Sequence, residues 1–189
     1  MSNTLLERNL IENAQNGDRQ AFNELVMVYR EPIVNLVYRF CGDIHLAEDA
    51  AQEAFVRAWK HLPAYQHKNS FRAWVYRIST NAALDMLRRE KPVEELDETV
   101  YVDISRNNHS GNENPEKSYS RSELAAEINQ AVLGLPMASR SVLILREYEN
   151  LSYREIAEIL EIPLGTVMSR LSYGRKLLME KLSFYLEET

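Results

Sequence analysis

Apolar residues recur at spacings of three and four along most of this chain, the repeat of a helix that buries one face. From Leu5 to Arg89 the pattern reads as helix after helix, rich in strong formers such as Ala, Leu, Glu and Arg, with no convincing strand. Leu46, Ala50, Ala54, Ala58 and Leu62 define one buried side, with Phe55 and Trp59 beside them, and the opposite side carries Glu48, Asp49, Gln52 and Glu53. Asp43 suits the N-cap of that helix, and Glu48 and Asp49 suit the positive end of its dipole. Further on, Phe71, Trp74, Val75, Ile78 and Ala82 keep helical spacing among Arg72, Tyr76, Arg77, Thr80 and Asn81. Pro32, Pro63, Pro92, Pro115, Pro136 and Pro163 are expected to divide these segments.

Helical periodicity resumes from Ser120 through Leu124, Ile128, Ala131, Val132 and Leu135. Ser152 with Glu155 three residues later is a capping box, which predicts a helix starting at Tyr153 whose buried face is Ile156, Ala157, Ile159 and Leu160. Pro163 disfavours helical geometry at Ile162, so a tight turn follows. Thr166, Val167, Leu171 and Leu178 fit a second helix, and small Ala157 lets the two approach at the steep crossing of a helix-turn-helix. Met168, Ser169, Ser172 and Tyr173 then face outward, with Arg170, Arg175 and Lys176 in reach of phosphates. A plain helical hairpin with a solvated basic face fits the same pattern.

Between the helical stretches, residues 92–118 turn acidic and then rich in Asn and Ser, so they read as a linker, with a brief extended segment around "ETVYVDI". The net charge of −6 counts against nucleic-acid binding until its distribution is examined. Residues 1–91 hold twelve basic and eleven acidic side chains, residues 92–120 two and seven, and residues 121–189 eight and ten. The deficit therefore sits mostly in the linker, and the stretches Lys68 to Arg89 and Gly165 to Met179 are locally basic. Aromatic and basic residues interleaved over 71–82 suit a surface that stacks on unpaired bases, although Phe71 and Trp74 fit a core equally well. Cys41 is alone, His45, His61, His67 and His109 lack metal-ligand spacing, and no glycine-rich phosphate loop occurs. Neither a membrane-length apolar run nor a secretion signal is seen, so a cytoplasmic protein without cofactor, metal, catalytic residues or direct membrane insertion is expected.

Four stretches in order, "GDRQAFNELVMVYREPIVNLVYRFCGD", "AEDAAQEAFVRAWKHL", "FRAWVYRISTNAALDMLRRE" and "LSYREIAEILEIPLGTVMSRLSYGRKLL", resemble the extracytoplasmic-function group of bacterial sigma factors over nearly the whole chain. The resemblance implies an all-α fold of two small domains joined by a flexible acidic linker: region two at 1–91, the linker at 92–118, and region four, with the helix-turn-helix, at 119–189. It implies core RNA polymerase as partner, through the clamp helices of the largest catalytic subunit and through the beta flap, together with promoter DNA and an anti-sigma factor. Matching positions make Asp49, Gln52, Glu53 and Phe55 the polymerase contacts.

For the minus-ten element the resemblance points to Arg72, Trp74, Tyr76, Arg77, Thr80 and Asn81, with Asn81 at the asparagine that reads a flipped base. For the minus-thirty-five element it points to Thr166, Met168, Ser169, Arg170, Ser172, Tyr173, Arg175 and Lys176. Met168 and Tyr173 stand where arginine is frequent, so a bidentate guanine contact worth roughly 1–3 kcal/mol is missing there. It also implies that the acidic linker threads toward basic walls of the polymerase, although a plain disordered spacer fits the same residues equally well. An operator-binding helix-turn-helix regulator is the competing reading, and it has no use for the stripe Asp49, Gln52, Glu53. An enzyme reading finds no site.

Overall fold

The computed structural model describes residues 2–66, 70–90 and 121–187, and every regular element among them is helical. The linker and the extended segment expected within it lie outside the described residues. α1 (Ser2–Gln15), α2 (Arg19–Cys41), α3 (Ile44–His61) and α4 (Phe71–Glu90) form an N-terminal bundle. α5 (Arg121–Leu133), α6 (Met137–Leu143), α7 (Tyr153–Leu160) and α8 (Leu164–Glu187) form a C-terminal one.

Local chemistry sets the helix ends. The Asp18 carboxylate accepts from the backbone N–H groups of Gln20 and Ala21, and Asp43 accepts from those of His45 and Leu46, so both cap orphan donors. α2 ends on Gly42, at φ 75°, where only glycine is unstrained and where a Cβ would meet the Leu133 side chain at 2.8 Å. That glycine therefore both stops a helix and admits α5. Pro32 does not divide the chain as expected, for α2 runs through it without interruption. Its ring and Val28 are both exposed, so the Val28 carbonyl that the missing N–H would have served is open to water.

In α3, Ala47, Ala50, Ala51, Ala54 and Ala58 are all buried. With methyl groups alone on those faces, α2 and α4 can both close on it. Phe40, Leu36 and Ile33 of α2 and Val75 and Tyr76 of α4 complete the core. In the C-terminal bundle Val142, Leu143, Ile144 and Leu145 meet Ile156, Ile159, Val167 and Leu171. Between α6 and α7 the helix widens into a π turn, Ile144–Tyr148, and leaves through Asn150 at φ 55°.

The expected capping box is present: Ser152 Oγ accepts from Glu155 N–H at 3.3 Å, and the Glu155 carboxylate accepts from Ser152 N–H at 2.8 Å. Ser152 Oγ also donates to the Glu155 carboxylate at 2.7 Å, and this bond first, then the one from the Ser152 N–H, holds the Glu155 carboxyl below its ordinary value. A depressed carboxyl contributes stability above its unfolded-state value, and the contribution is lost as pH falls through the folded one. Ser152→Ala is expected to lower the stability of the C-terminal bundle by about 1 kcal/mol at neutral pH. In thermal melts the gap to the parent should narrow as the pH is taken below about 4.3, the ordinary glutamate range.

Candidate docking and nucleic-acid surfaces

α2 and α3 diverge at their outer faces and leave an open groove of about 760 Å³. Phe22 and Trp59 form its apolar floor, their rings 4.9 Å apart, and Arg30 and Glu48 face each other across it at 3.7 Å. Asp49, Gln52 and Phe55 line this groove, as three of the four expected docking residues, and Glu48 joins them. Glu53 sits elsewhere: its carboxylate accepts from Arg57 Nε at 2.9 Å, and Arg57 also donates to Asp85 of α4 at 3.0 Å. Hydrogen bonds first to Glu53 and then to Asp85 hold the Arg57 guanidinium above its ordinary value. Glu53 thus serves a brace between α3 and α4.

The expected nucleic-acid face of α4 is sorted by burial. Asn81 is exposed. Trp74 is half-buried, stacked at 4.9 Å from Tyr65 and 5.4 Å from Phe71, so it belongs to an aromatic cluster under the helix. Thr80 is fully buried and its hydroxyl has no hydrogen-bond partner among the described residues. Arg72, Tyr76 and Arg77 project toward the C-terminal bundle, where each meets an acid. Arg72 donates to Glu149 Oε2 at 3.1 Å and to the Glu149 carbonyl at 2.9 Å, and the Tyr76 hydroxyl donates to the same Oε2 at 2.9 Å. Arg77 pairs with Glu161. Burial pushes the Tyr76 phenol above its ordinary value, against the pull of the Arg72 cation and with the push of Glu149.

α7 and α8 cross as a helix-turn-helix, with Ile156, Ile159, Val167 and Leu171 buried between them and the π turn. Met168, Ser169, Ser172 and Tyr173 face solvent on α8, as the sequence leads one to expect, and Thr166 and Arg170 are half-buried at the edge. Ser169 Oγ donates to the Thr166 carbonyl at 3.1 Å. Arg175 is held by Glu147, its Nε donating at 3.1 Å, which raises the guanidinium above its ordinary value. Lys176 lies 3.9 Å from Glu180. Among the described residues no group of His, Cys, Asp or Glu is placed to hold a metal ion, and no helix is long and apolar enough to cross a membrane.

Of the groups that join the two bundles, sequence periodicity singles out Arg72, Tyr76 and Arg77 but none of their partners. Arg140 of α6 donates to the Phe40 carbonyl at the end of α2 at 2.7 Å, and also to the Leu133 and Leu135 carbonyls. Burial lowers its guanidinium to about 10. No local pattern marks Glu149, Glu161 and Arg39, because their partners lie on distant segments.

A bundle with an open groove of apolar floor and polar rim, followed by a helix-turn-helix with a largely polar outer face, is the architecture of this chain. The comparisons place it further: Sigma-70 region 2 matches residues 25–93 and Sigma-70 region 4 matches residues 125–178. The ECF RNA polymerase sigma factor SigW of Bacillus subtilis is 38% identical over 180 residues, covering 91% of this chain and 94% of that protein. The chain belongs to the sigma-70 family, with the extracytoplasmic-function sigma factors as its relatives. Its fold is that of CnrH, solved with the cytosolic domain of CnrY, at a TM-score of 0.68 and 23% identity over 94% of this chain and 97% of that one. It is also that of the sigma factor RpoE of Bartonella quintana, solved with the anti-sigma factor NepR, at 0.64 and 20% over 86% and 96%.

Removing an unpartnered buried hydroxyl recovers its desolvation cost, on the order of 1 kcal/mol or more. Thr80→Val is therefore expected to leave the melting temperature unchanged or raise it by a few degrees. A drop of that size would show that the hydroxyl has a partner.

Proposed function

We propose that this protein is the promoter-specificity subunit of a bacterial RNA polymerase, acting in the cytoplasm by binding alone and carrying out no covalent step. Residues 1–91 dock on core polymerase and engage the minus-ten element, residues 119–189 read the minus-thirty-five element, and residues 92–118 join them. The groove between α2 and α3 carries this reading, because an operator-binding regulator has no use for it. Its floor of Phe22 and Trp59 offers apolar burial, and its rim of Glu48, Asp49 and Gln52 offers acceptors to a basic, polar helix surface such as the clamp helices. The beta flap is the further contact assigned to the C-terminal bundle.

Asn81, exposed on α4, is assigned to the flipped base, and Arg72, Tyr76 and Arg77 to the strand around it. Trp74 supports that face from below. On α8, Ser169, Ser172 and Tyr173 are assigned to base edges, while Thr166, Arg170, Arg175 and Lys176 approach phosphates. Met168, exposed and apolar, suits a thymine methyl rather than a guanine edge. Phosphate contact by Arg175 requires exchange with Glu147. An anti-sigma factor is the expected regulator, supported by the RpoE and NepR complex on the same fold.

Run-off transcription with purified core polymerase on genomic promoter fragments tests the function, and a transcript dependent on this chain is the expected result. Asp49→Lys should weaken core binding by about tenfold or more, as reversal of a rim charge against a basic partner does. Asn81→Ala should leave core binding intact and reduce promoter opening, read by permanganate footprinting. Glu53→Lys should act mainly by loosening the Arg57 brace, seen as a lower melting temperature before any loss of core affinity.

A further inference from the structure

We infer that Gln15, the last residue of α1, is a positioning residue for reading the flipped base, because its side-chain amide fixes the turn after α3 beside the α4 stripe that carries Asn81. This inference rests on the assignment of Asn81 to the minus-ten element. Gln15 Nε2 donates to the Leu62 carbonyl at 3.1 Å and to the Tyr65 carbonyl at 2.8 Å, so one amide clasps both ends of that turn. Gln15 is half-buried, and its acceptors lie 47 and 50 residues further along the chain. The helix that carries it is itself fixed: Ile11 and Ala14 are buried in the core, and Glu7 accepts from the Tyr29 hydroxyl of α2.

The clasp matters because of what the turn delivers. Leu62–Ala64 is a single 3-10 turn containing Pro63, closed by the Tyr65 N–H donating to the Leu62 carbonyl at 3.0 Å. It brings the Tyr65 ring, 7% exposed, to 4.9 Å from Trp74 and edge-on to Phe71 at 5.7 Å. Trp74, Ile78 and Asn81 follow at spacings of four and three, so they form one stripe along α4. Trp74 and Ile78 are half-buried and Asn81 is exposed, so the stripe rises from the aromatic cluster to the surface. Seven residues of helix span roughly 10 Å. The Tyr65 and Trp74 pair therefore bounds one side of the space in which Asn81 would hold a base, and Gln15 sets where that side stands.

Neutral hydrogen bonds of this kind add little net stability, but they fix which way the carbonyls of the turn face. Without them Asn81 keeps its place on α4, whereas Tyr65 is free to shift against Trp74. The groove between α2 and α3 is lined by other residues, so docking on polymerase and reading of the base are separable in variants of Gln15. A purely structural role would weaken every promoter alike. A positioning role changes the choice between bases at one position.

The test uses the full chain with core polymerase on a genomic fragment that yields a transcript dependent on this chain, and on copies with each minus-ten base pair replaced in turn. The readout is the ratio of transcript from the native fragment to transcript from each altered one. Asn81→Ala marks the position at which the flipped base is read. There Gln15→Met, which keeps the length and helix preference of glutamine but donates nothing, should lower the ratio about fivefold, the low end of what one good base contact contributes. Ratios at the other positions and affinity for core should stay parental. Gln15→Lys returns donors to both carbonyls and suits the C-terminal end of a helix, so it should hold the ratio near the parental one. A folded Gln15→Met chain with parental ratios overturns the inference, and so does a loss equal at every position or equal in the Met and Lys variants. If Gln15→Met loses its helical signal, Gln15→Glu, of the same shape without a donor, replaces it under the same criteria. A parent chain that gives no transcript on any fragment overturns the proposed function, and an Asn81→Ala chain with parental ratios overturns the Asn81 assignment. Unmoved Gln15 variants of a chain that passes both overturn this inference alone.

Discussion

The structure depends on how closely three helices can approach around α3. Five buried alanines leave that helix almost without side-chain volume on its inner faces, so α2 and α4 pack against it directly. Larger residues there would force the neighbours apart, and overpacking of this kind commonly costs 1–3 kcal/mol. The close approach does more than stabilise. It places the groove between α2 and α3 on one side of the bundle and the polar face of α4, turned toward the C-terminal bundle, on another, so a single small core presents two surfaces of different chemistry. The brace from Glu53 through Arg57 to Asp85 then fixes α3 against α4 at the rim. On the proposed function, partner docking and nucleic-acid contact use separate surfaces because the core keeps the two apart.

What the sequence revealed, and what it concealed, follows from the range of the interactions. The Asp43 cap and the Ser152 and Glu155 capping box each link residues two or three apart, and both were legible as patterns. The outward face of α8 was legible too, because helical periodicity assigns faces once a helix is given. Pro32 misled, since a proline stops a helix only where its lost bond cannot be replaced, and here the site is solvated. On α4 periodicity failed to separate Asn81 from Thr80, for a helix rich in Ala, Ser and Thr is buried on more of its circumference than its apolar residues announce. Glu149 was illegible altogether. Its partner Arg72 lies 77 residues earlier, and no local pattern distinguishes an acid that reaches across to another bundle from one that faces water.

The junction between bundles differs in kind from either core. Alanines, leucines and isoleucines hold the bundles together internally, whereas the contact between them adds polar pairs to the apolar cluster that runs through both: Glu149 with two donors and the Arg39 cation, Arg77 with Glu161, and Arg140 on the Phe40 carbonyl. Arg140 sits beside the C-terminal ends of both α2 and α5, where carbonyl groups left over from each helix converge on one cation. Apolar burial is lost only with unfolding, but contacts of this second type can be exchanged for others of equal quality. A surface built on them is suited to opening without loss of the fold.

The acidic surplus then acquires a structural role beyond the linker. Glu147, Glu149 and Glu161 of the C-terminal bundle each hold an arginine assigned to DNA, at Arg175, Arg72 and Arg77. Those three cations are already paired with carboxylates in the free protein, so each gains less from a phosphate than an unpaired arginine would. On the proposed assignment a phosphate displaces a carboxylate, and the gain per contact is a difference between two ion pairs rather than the formation of a new one. On the proposed function, such small differences are expressed where docking on polymerase supplies a high local concentration of promoter DNA.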